Sequence, residues 1–284
     1  MGLIPWVTSP YVYPYALENE LPVVKARLFD EANGDEQGST IQTAEFLRLY
    51  GHDVKTDSSK LALLGRDAHN RQIQSVSRSL RMTIEDDFIN GSHAESGGRE
   101  MNGLRVKIPT TSSQAIANHA TGAGLSTAKL DELIAQVSGP NSEKVLVMNK
   151  KLKTRWGAFP RSSNSGLLLT GVDQLGRQAT VYDGVPILET EVNSQNVDIQ
   201  GFTEDNNTSS VYCIRFGEGA TSGLQGPGID AQGNEQTGLV VYDVGESFQT
   251  PTRLTRISWH IGSVVEDPTS IARLYNVTNA AITD

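Results

Sequence analysis

The sequence predicts an α+β protein, and three observations support that prediction. Apolar residues recur at three- and four-residue intervals from Asp67 to Phe88, which is the period of a long helix. After Trp156 the chain becomes rich in Gly, Ser, Asn and Thr, and short apolar runs follow one another between turn residues, as in a sheet. Near the end, TRLTRISWHIGSVV alternates apolar and polar residues as one long strand would.

The composition argues against several classes of protein. The 284-residue chain has 24 basic and 33 acidic side chains, and its formal net charge of −9 would repel a phosphate backbone, so we expect no sequence-specific nucleic-acid binding. Its one cysteine, Cys213, can form neither an intramolecular disulfide nor an all-cysteine metal site. The N-terminal stretch MGLIPWVTSPYVYPY lacks a basic segment and is interrupted by prolines, so we expect no signal peptide and no membrane contact.

The N-terminal part is expected to be extended. Residues 1–26 hold Pro5, Pro10, Pro14 and Pro22 among aromatic side chains, a composition that favours an arm without a core of its own. Next, LPVVKARLFDE and STIQTAEFLRLYG flank the acidic stretch EANGDEQG, which predicts two strands of a long hairpin with its tip near Asn33–Gly34. This tip is too polar to belong to the chain's own core.

Two helices are expected in the middle of the chain. The long helix has Asp67 as its expected N-cap and Gly91 as its stop. The second helix, LSTAKLDELIAQV, begins at Ser126 or Thr127 and ends before Pro140, and KVLVMNKKLKTRW then predicts a strand that breaks into a cationic turn or short helix. The apolar stripe of the long helix, which requires a sheet to pack against, consists of Ile73, Val76, Leu80, Ile84 and Phe88.

Four runs between about residues 160 and 245 predict a sheet-rich region: GLLLTGV, ATVYDGVPILETEV, SSVYCIRF and GLVVYDVG. The late strand is expected to return to the helical part, which makes the sheet-rich region an insertion. Within it, Asp183–Gly184 is a turn dipeptide that permits positive φ, and Pro186 is expected at a sheet edge or at an irregularity because it has no backbone donor. GEGATSGLQGPG is expected to be a flexible loop.

The motifs nominate no catalytic or cofactor site. Cys213 lies in an alternating run and is expected to be a small buried hydrophobe, because no histidine lies in a motif that would activate it. TGAGLST before the second helix lacks the ending of a P-loop. We therefore expect no metal, no cofactor and no enzymatic activity. A solvated face or salt bridges between subunits are expected for the basic cluster Lys150, Lys151, Lys153 and Arg155.

In their order along the chain, these segments resemble the major capsid protein of tailed bacteriophages, which has the Hong Kong 97 coat fold. RQIQSVSRSLRMTIEDDFINGS resembles the spine helix, with Phe88, Asn90 and Gly91 at its end, and MNGLRVKI resembles the strand after it. VLVMNKKLKTRW resembles the segment that leads into the A-domain, and TVYDGVPILETE resembles a frequent stretch of that domain. The resemblance extends from about residue 20 to 278 and rests on the order of the segments.

The resemblance implies a Hong Kong 97-like fold with an N-terminal arm at 1–26, an E-loop hairpin at 27–46, a P-domain with the spine helix at 47–159, an A-domain at 160–245 and a C-terminal return to the P-domain at 246–284. It implies a major capsid protein that assembles with itself, as hexamers and pentamers, into an icosahedral shell around double-stranded DNA. Scaffolding, portal and decoration proteins are further expected partners, and the packaged DNA is expected to make weak, non-specific contacts. The expected location is the virion, assembled in the cytoplasm of a host bacterium.

An arm and a hairpin that cannot bury their apolar residues alone can bury them on neighbouring subunits. We therefore expect intersubunit contacts at Trp6 and Tyr13 in the arm and at Leu28 and Phe29 near the hairpin. Three alternatives remain open: an encapsulin-type nanocompartment with the same fold around a cargo enzyme, a tail or head accessory protein of a phage, and a hydrolase that uses Cys213. The acidic residues expected to face basic groups of a neighbour, on the long helix or in the basic cluster, are Asp30, Glu31, Asp35 and Glu36.

Overall fold

The computed structural model describes residues 4–20, 24–30, 32, 39–163, 170–172, 178–230, 232–247 and 250–283, without the side chains of 18–20, 160–163, 170–172 and 178–179. Its helices are α1 (Ser58–Leu64), α2 (Arg66–Asn90), α3 (Leu104–Lys107), α4 (Thr127–Gln136) and α5 (Lys150–Ser163). Its strands are β1 (Trp6–Thr8), β2 (Val12–Glu20), β3 (Ser39–Phe46), β4 (Arg48–Asp57), β5 (Ala115–Ala117), β6 (Lys144–Asn149), β7 (Thr170–Val172), β8 (Gln178–Tyr182), β9 (Val185–Thr190), β10 (Ser209–Arg215), β11 (Thr221–Gln225), β12 (Pro227–Ile229), β13 (Glu235–Thr237), β14 (Val240–Glu246), β15 (Thr252–Val265) and β16 (Ile271–Val277). No helix in these described ranges is long and apolar enough to cross a bilayer.

A seven-stranded sheet forms the main core, with the strand order β5-β16-β10-β6-β9-β8-β7. Its strand β6 is buried along its whole length because helices cover both of its faces. Helices α4 and α5 pack against the face that carries Leu146 and Met148. The end of α2 and the short helix α3 pack against the opposite face, which carries Val145 and Val147.

A five-stranded sheet is built around β15, which is 14 residues long. Strand β4 pairs with β15 from Arg48 to Asp57. The opposite edge of β15 pairs first with β14 and then with β11, and β1 adds to β11 in parallel. Because α2 packs on β4 and β15, the late strand returns to the helical part as the sequence predicts.

Helix α2 connects the two sheets. Its 25 residues extend about 37 Å, at about 1.5 Å per residue. Near its start, the buried His69 lies 2.7 Å from the Thr56 hydroxyl and 2.8 Å from the Thr255 hydroxyl, so this end is held by polar contacts. Further along, Ile84 packs in an apolar cluster and Ile89 reaches the seven-stranded sheet. Of the predicted apolar stripe, Ile84 is fully buried, whereas Ile73, Val76, Leu80 and Phe88 are partly exposed.

The start of α2 differs from the expectation. Gly65, not Asp67, is the N-cap, and Asp67 lies in the first turn, where a carboxylate interacts favourably with the helix dipole. Gly65 has φ of 72° and separates α2 from the short helix α1, which the sequence reasoning missed. Asp57 caps α1, accepting a 2.8 Å hydrogen bond from the backbone N–H of Ser59. The end at Gly91 is as predicted.

The hairpin pairs differently from the prediction. Strand β3 pairs antiparallel with β2, from Val12↔Phe46 to Glu20↔Ser39, so the second run of the predicted hairpin pairs with the arm. Residues 24–28 form no strand, so the expectation for LPVVKARLFDE is wrong there. Pro14 lies inside β2 and is tolerated because each strand of a two-stranded ribbon has one unpaired edge. We call β2 and β3 the ribbon.

Two other segments also differ from the predictions. MNGLRVKI contains the helical turn α3 instead of a strand, and the N–H of Ile108 donates to the carbonyl of Leu104 at 2.8 Å. GEGATSGLQGPG contains β11 and β12 instead of a flexible loop. In β11, Gly223 leaves room for the Trp6 ring, whose atoms lie 2.7 Å from the position that a Cβ would occupy. Close packing, and not flexibility, accounts for that glycine.

The sheet-rich region contains strands in its predicted runs, although most of GLLLTGV lies outside the described residues, and these strands belong to both sheets. Strands β8, β9 and β10 join the seven-stranded sheet, whereas β11 and β14 join β15. The C-terminal β16 also joins the seven-stranded sheet, beside β10. The limits proposed for the inserted domain stay a prediction. The turn between β8 and β9 is as predicted, with positive φ at Asp183 (48°) and Gly184 (77°), the two central positions of a type I′ turn.

Candidate assembly surface

The ribbon exposes apolar side chains that the described part of the chain leaves uncovered. Ile41 is 52% exposed and Phe46 is exposed as well. Tyr11, the residue before β2, is also exposed, and its ring lies 6.0 Å from that of Phe46 in an edge contact. A two-stranded ribbon is at best marginally stable alone, because it has too little apolar surface to bury. The ribbon therefore has the properties of a segment that gains stability by docking. Sequence reasoning missed these three residues, although IQT and EFL in the second run alternate as an edge strand does.

The loop that continues from the ribbon carries the two apolar residues expected at contacts. Phe29 is fully exposed and Leu28 is 78% exposed, which is unusual for side chains of this size. Asp30 follows them, exposed and with φ of 69°. The other three acidic residues of the prediction, Glu31, Asp35 and Glu36, lie outside the described residues. That this loop contacts a neighbouring subunit stays a prediction, and its exposed apolar side chains favour it.

The two aromatic residues predicted for the arm are engaged within their own chain. Trp6 belongs to β1 and packs on Trp259, with ring centroids 5.4 Å apart. Tyr13 donates a 2.6 Å hydrogen bond to Glu266, and this bond, followed by burial, raises the pKa of Tyr13 to about 12. Both side chains are half-buried, so each has a structural role whether or not it also reaches a neighbour.

The basic cluster lies on α5, and two of its four charges are paired locally. Lys151 forms a 2.8 Å ion pair with Asp198, and Lys153 lies 3.4 Å from Glu189. Arg155 donates to the Asn279 side chain at 3.3 Å, and Lys150 is exposed at the first position of the helix. The solvated-face interpretation fits these contacts. A role between subunits stays a prediction.

A second apolar surface lies at the end of α1. Leu63 and Leu64 are 84% and 66% exposed, and they precede the positive-φ Gly65. A groove beside them is bordered by Leu61 and Arg66 on the helices and by edge strand β14. Sequence reasoning missed this surface because it did not recognise LALLG as the end of a helix.

The described residues contain little that resembles an active centre. Cys213 is completely buried, and loss of solvent raises the pKa of its thiol to about 12, so it behaves as the predicted small hydrophobe. No group of three metal-ligating side chains lies together in the part of the chain that the structure describes.

Comparison with known proteins shows what the chain is similar to. The family described as SU10 major capsid protein matches residues 54–185, a little under half of the chain. This range contains α1 to α5 and the strands from late β4 to the start of β9. This central segment is therefore similar to major capsid proteins. None of the curated proteins matches the sequence.

Solved structures show the coat fold over the whole chain. The holo-SrpI encapsulin complex from Synechococcus elongatus has a TM-score of 0.70 at 17% identity, covering 100% of this chain and 88% of that chain. The capsid of cyanophage A-1(L) has a TM-score of 0.70 at 13% identity, covering 98% and 92%. The capsid of an empty GTA particle has a TM-score of 0.66 at 15% identity, covering 97% and 88%. At these identities the likeness establishes the fold, which confirms the α+β, Hong Kong 97-like prediction.

Proposed function

We propose that this coat protein assembles into an icosahedral shell that encloses the double-stranded DNA genome of a tailed bacteriophage. The match to a major capsid family over the central 54–185 segment is the observation that supports it most directly. The exposed apolar ribbon and its loop are the second support, since exposed apolar side chains of this size can be buried by a neighbouring subunit. In this proposal the chain acts by assembly and has no enzymatic activity.

The contacts between subunits are proposed to be apolar and electrostatic together. Residues 12–46, the ribbon with its loop, hold seven acidic against two basic side chains. Residues 68–84 of α2 hold three arginines, Arg71, Arg78 and Arg81, and no acidic side chain, and all three are exposed. We propose that Phe29 and Leu28 supply the apolar part of the contact and that Asp30, Glu31, Asp35 and Glu36 face these arginines or the α5 cluster.

The remaining partners follow from the same proposal. Hexamers and pentamers of the chain would form the shell, with portal, scaffolding and decoration proteins added during assembly in the cytoplasm of the host bacterium. The net charge of −9 suits a wall that holds packed DNA through weak, non-specific contacts, because like charge keeps the nucleic acid from adhering. An encapsulin with the same fold would instead enclose a protein cargo, and the contents of the shell distinguish the two.

Electron microscopy of the chain expressed alone, with light scattering on the same sample, tests the proposal. Closed shells or ring-shaped capsomers are expected. Phe29→Ala should lower the yield of closed shells, whereas Val197→Ala, which also truncates an exposed apolar residue but lies far from the ribbon in sequence, should not. A chain that stays monomeric even with candidate scaffolding proteins added would overturn the shell function, and a co-purifying protein cargo would favour the nanocompartment.

A further inference from the structure

One rung of the ribbon is tied to the rest of the molecule through both of its strands. Tyr13 of β2 and Glu45 of β3 are direct partners across the ribbon. The Tyr13 hydroxyl donates to Oε1 of Glu266 at 2.6 Å, just after β15, and Oε1 of Glu45 lies 3.4 Å from Nζ of Lys107, at the end of α3. The two residues of a single rung therefore contact two different elements of the body, by which we mean the two sheets and their helices.

Lys107 is an unusual partner because it is almost entirely enclosed. Its Nζ donates to the Ser263 carbonyl at 2.6 Å and lies 3.0 Å from the Ser263 hydroxyl, and its side chain is only 12% exposed. Among the described residues, Glu45 is the carboxylate that forms an ion pair with it. A buried cation that loses its counter-ion is strongly disfavoured, so Lys107 holds Glu45, and with it β3, against β15.

Apolar packing anchors the same end of the ribbon. Leu47, the residue between β3 and β4, is buried with Leu224 and Val264, and Tyr13 packs against this cluster. Two rungs beyond Tyr15, the ribbon reaches Ile41, which is exposed. The transition from anchored to exposed thus occurs within a few residues of the Tyr13–Glu45 rung.

We propose that this rung is the positioning element that fixes the direction in which the ribbon leaves the body, and that this direction sets the curvature of the shell. The inference rests on the shell function proposed above. A nine-residue strand is about 30 Å long, so a change of about 10° at its base would move its tip by about 5 Å. Subunits whose ribbons point in different directions would meet their neighbours at different angles, and a closed shell of one size requires one angle for each type of contact.

The test compares variants of the rung with matched variants elsewhere. Glu45→Gln and Tyr13→Phe each remove one tie and preserve the shape of the side chain, and Lys107→Met removes the buried cation. Glu132→Gln and Lys129→Met make the same chemical changes in the exposed Lys129–Glu132 pair of α4, a helix that packs on the seven-stranded sheet. Loss of one of these two contacts should shift the equilibrium between a ribbon packed on the body and a detached ribbon by roughly five- to thirtyfold toward the detached form.

The expected result is a broader distribution of shell diameters in electron micrographs for the rung variants, with more open or irregular shells, and an unchanged distribution for the α4 variants. Wild-type diameters in Tyr13→Phe and Glu45→Gln shells would overturn the inference. Tyr13→Phe serves as the mild variant if a change at the buried lysine prevents folding.

A distance measurement on unassembled subunits separates this inference from the shell function. Spin labels at Gln42→Cys on the ribbon and Ser75→Cys on α2 replace two exposed residues, and the buried Cys213 stays unlabelled. We expect one narrow distance in the otherwise native chain and a broad distribution when Glu45→Gln is added. A narrow distance distribution in both labelled chains, with and without Glu45→Gln, would overturn the positioning role even if shells form. A distribution that becomes broad only when Glu45→Gln is present would support the positioning role even if wild-type subunits never close into shells.

Discussion

The hydroxyl of Tyr50 in β4 donates a 2.7 Å hydrogen bond to Oδ2 of Asp87, in the last turn of α2. Asp87 is half-buried at this junction, and burial is the main reason that its pKa is raised to about 6. The nearby carboxylates of Glu100 and Asp86 raise it further, while the bond from Tyr50 opposes the shift. The negative end of the helix dipole also disfavours a carboxylate here. The junction that joins α2 to β4 therefore prefers the protonated acid.

The first prediction concerns pH. The folded-state pKa of Asp87 lies above the ordinary value of about 3.9, so the folded chain binds a proton more tightly than the unfolded chain between about pH 4 and 6. The protonated Asp87 side chain is tolerated in the folded chain in acid, and the free energy of unfolding falls as pH rises through about 6 and the carboxylate ionises. Because solvent partly reaches the carboxylate, the loss should be on the order of 1–2 kcal/mol. Asp87→Asn should raise the free energy of unfolding at pH 7 by about that amount.

Urea unfolding of unassembled subunits at pH 4.5 and pH 7 measures this effect. Asp183→Asn is the control, since it makes the same change in the exposed turn after β8, where asparagine also accepts positive φ. The difference in unfolding free energy between wild type and Asp87→Asn should shrink toward zero at the lower pH, and the control shows what the same substitution does away from this junction. An equal effect of Asp87→Asn at both pH values would show that packing, and not ionisation, controls this junction.

The second prediction compares two glycines that both have open space around a would-be Cβ. Gly184 has φ of 77° in the β8–β9 turn, and Gly157 lies inside helix α5. Gly184→Ala should destabilise the fold by about 1–2 kcal/mol because alanine resists the left-handed conformation. Gly157→Ala should stabilise it by about 0.5–1 kcal/mol because glycine loses more backbone entropy in a helix. Thermal unfolding of both variants checks the opposite signs, and two shifts of the same sign would contradict the conformational explanation.

The third prediction concerns the buried pair Arg273–Glu204. Their side chains lie 2.9 Å apart, and Arg273 also donates to the Ser210 hydroxyl at 2.9 Å and to the Ile108 carbonyl at 3.2 Å. Arg273→Met should lower the free energy of unfolding by about 3–5 kcal/mol, because it removes the ion-pair partner of the Glu204 carboxylate. Lys129→Met, in an exposed ion pair, should lower it by about 0.5 kcal/mol or less. Chemical denaturation of both variants measures the difference, and a cost below about 1 kcal/mol for Arg273→Met would show that water compensates Glu204.

The sequence predicted those parts of the fold in which local pattern and tertiary environment agree. The stop at Gly91, the second helix, the long strand β15 and the Asp183–Gly184 turn were all predicted from periodicity and turn chemistry. The order of such segments was sufficient to suggest the coat fold, because that order is a property of the whole chain. Cys213 was also placed correctly, since an alternating apolar run usually lies in a buried strand.

The failures at the hairpin, at Gly223 and at the exposed surface have one physical cause, which is that these contacts form between residues far apart in sequence. Nothing local distinguishes residues 24–28 from the arm as the partner of β3, and the deciding rung, Tyr13 opposite Glu45, depends on Glu266 and Lys107 far along the chain. The sequence around Gly223 suggested a flexible loop, because Trp6, whose ring packs against this glycine, is more than 200 residues away in sequence. The exposed apolar residues of the candidate surface were predicted only near Phe29, because exposure is invisible until the core is known.

The fourth prediction tests the hydrolase alternative directly. Cys213 lies on β10 with its side chain completely buried, and burial raises the pKa of the thiol to about 12. A catalytic cysteine requires an accessible thiolate, so a native subunit should resist a soluble thiol reagent at pH 7.5 and react only after denaturation. A surface cysteine introduced as Gln42→Cys provides the matched positive control, since it is exposed on the ribbon. Rapid labelling of native Cys213, at a rate close to that of the introduced residue, would contradict the buried placement and restore the enzymatic interpretation.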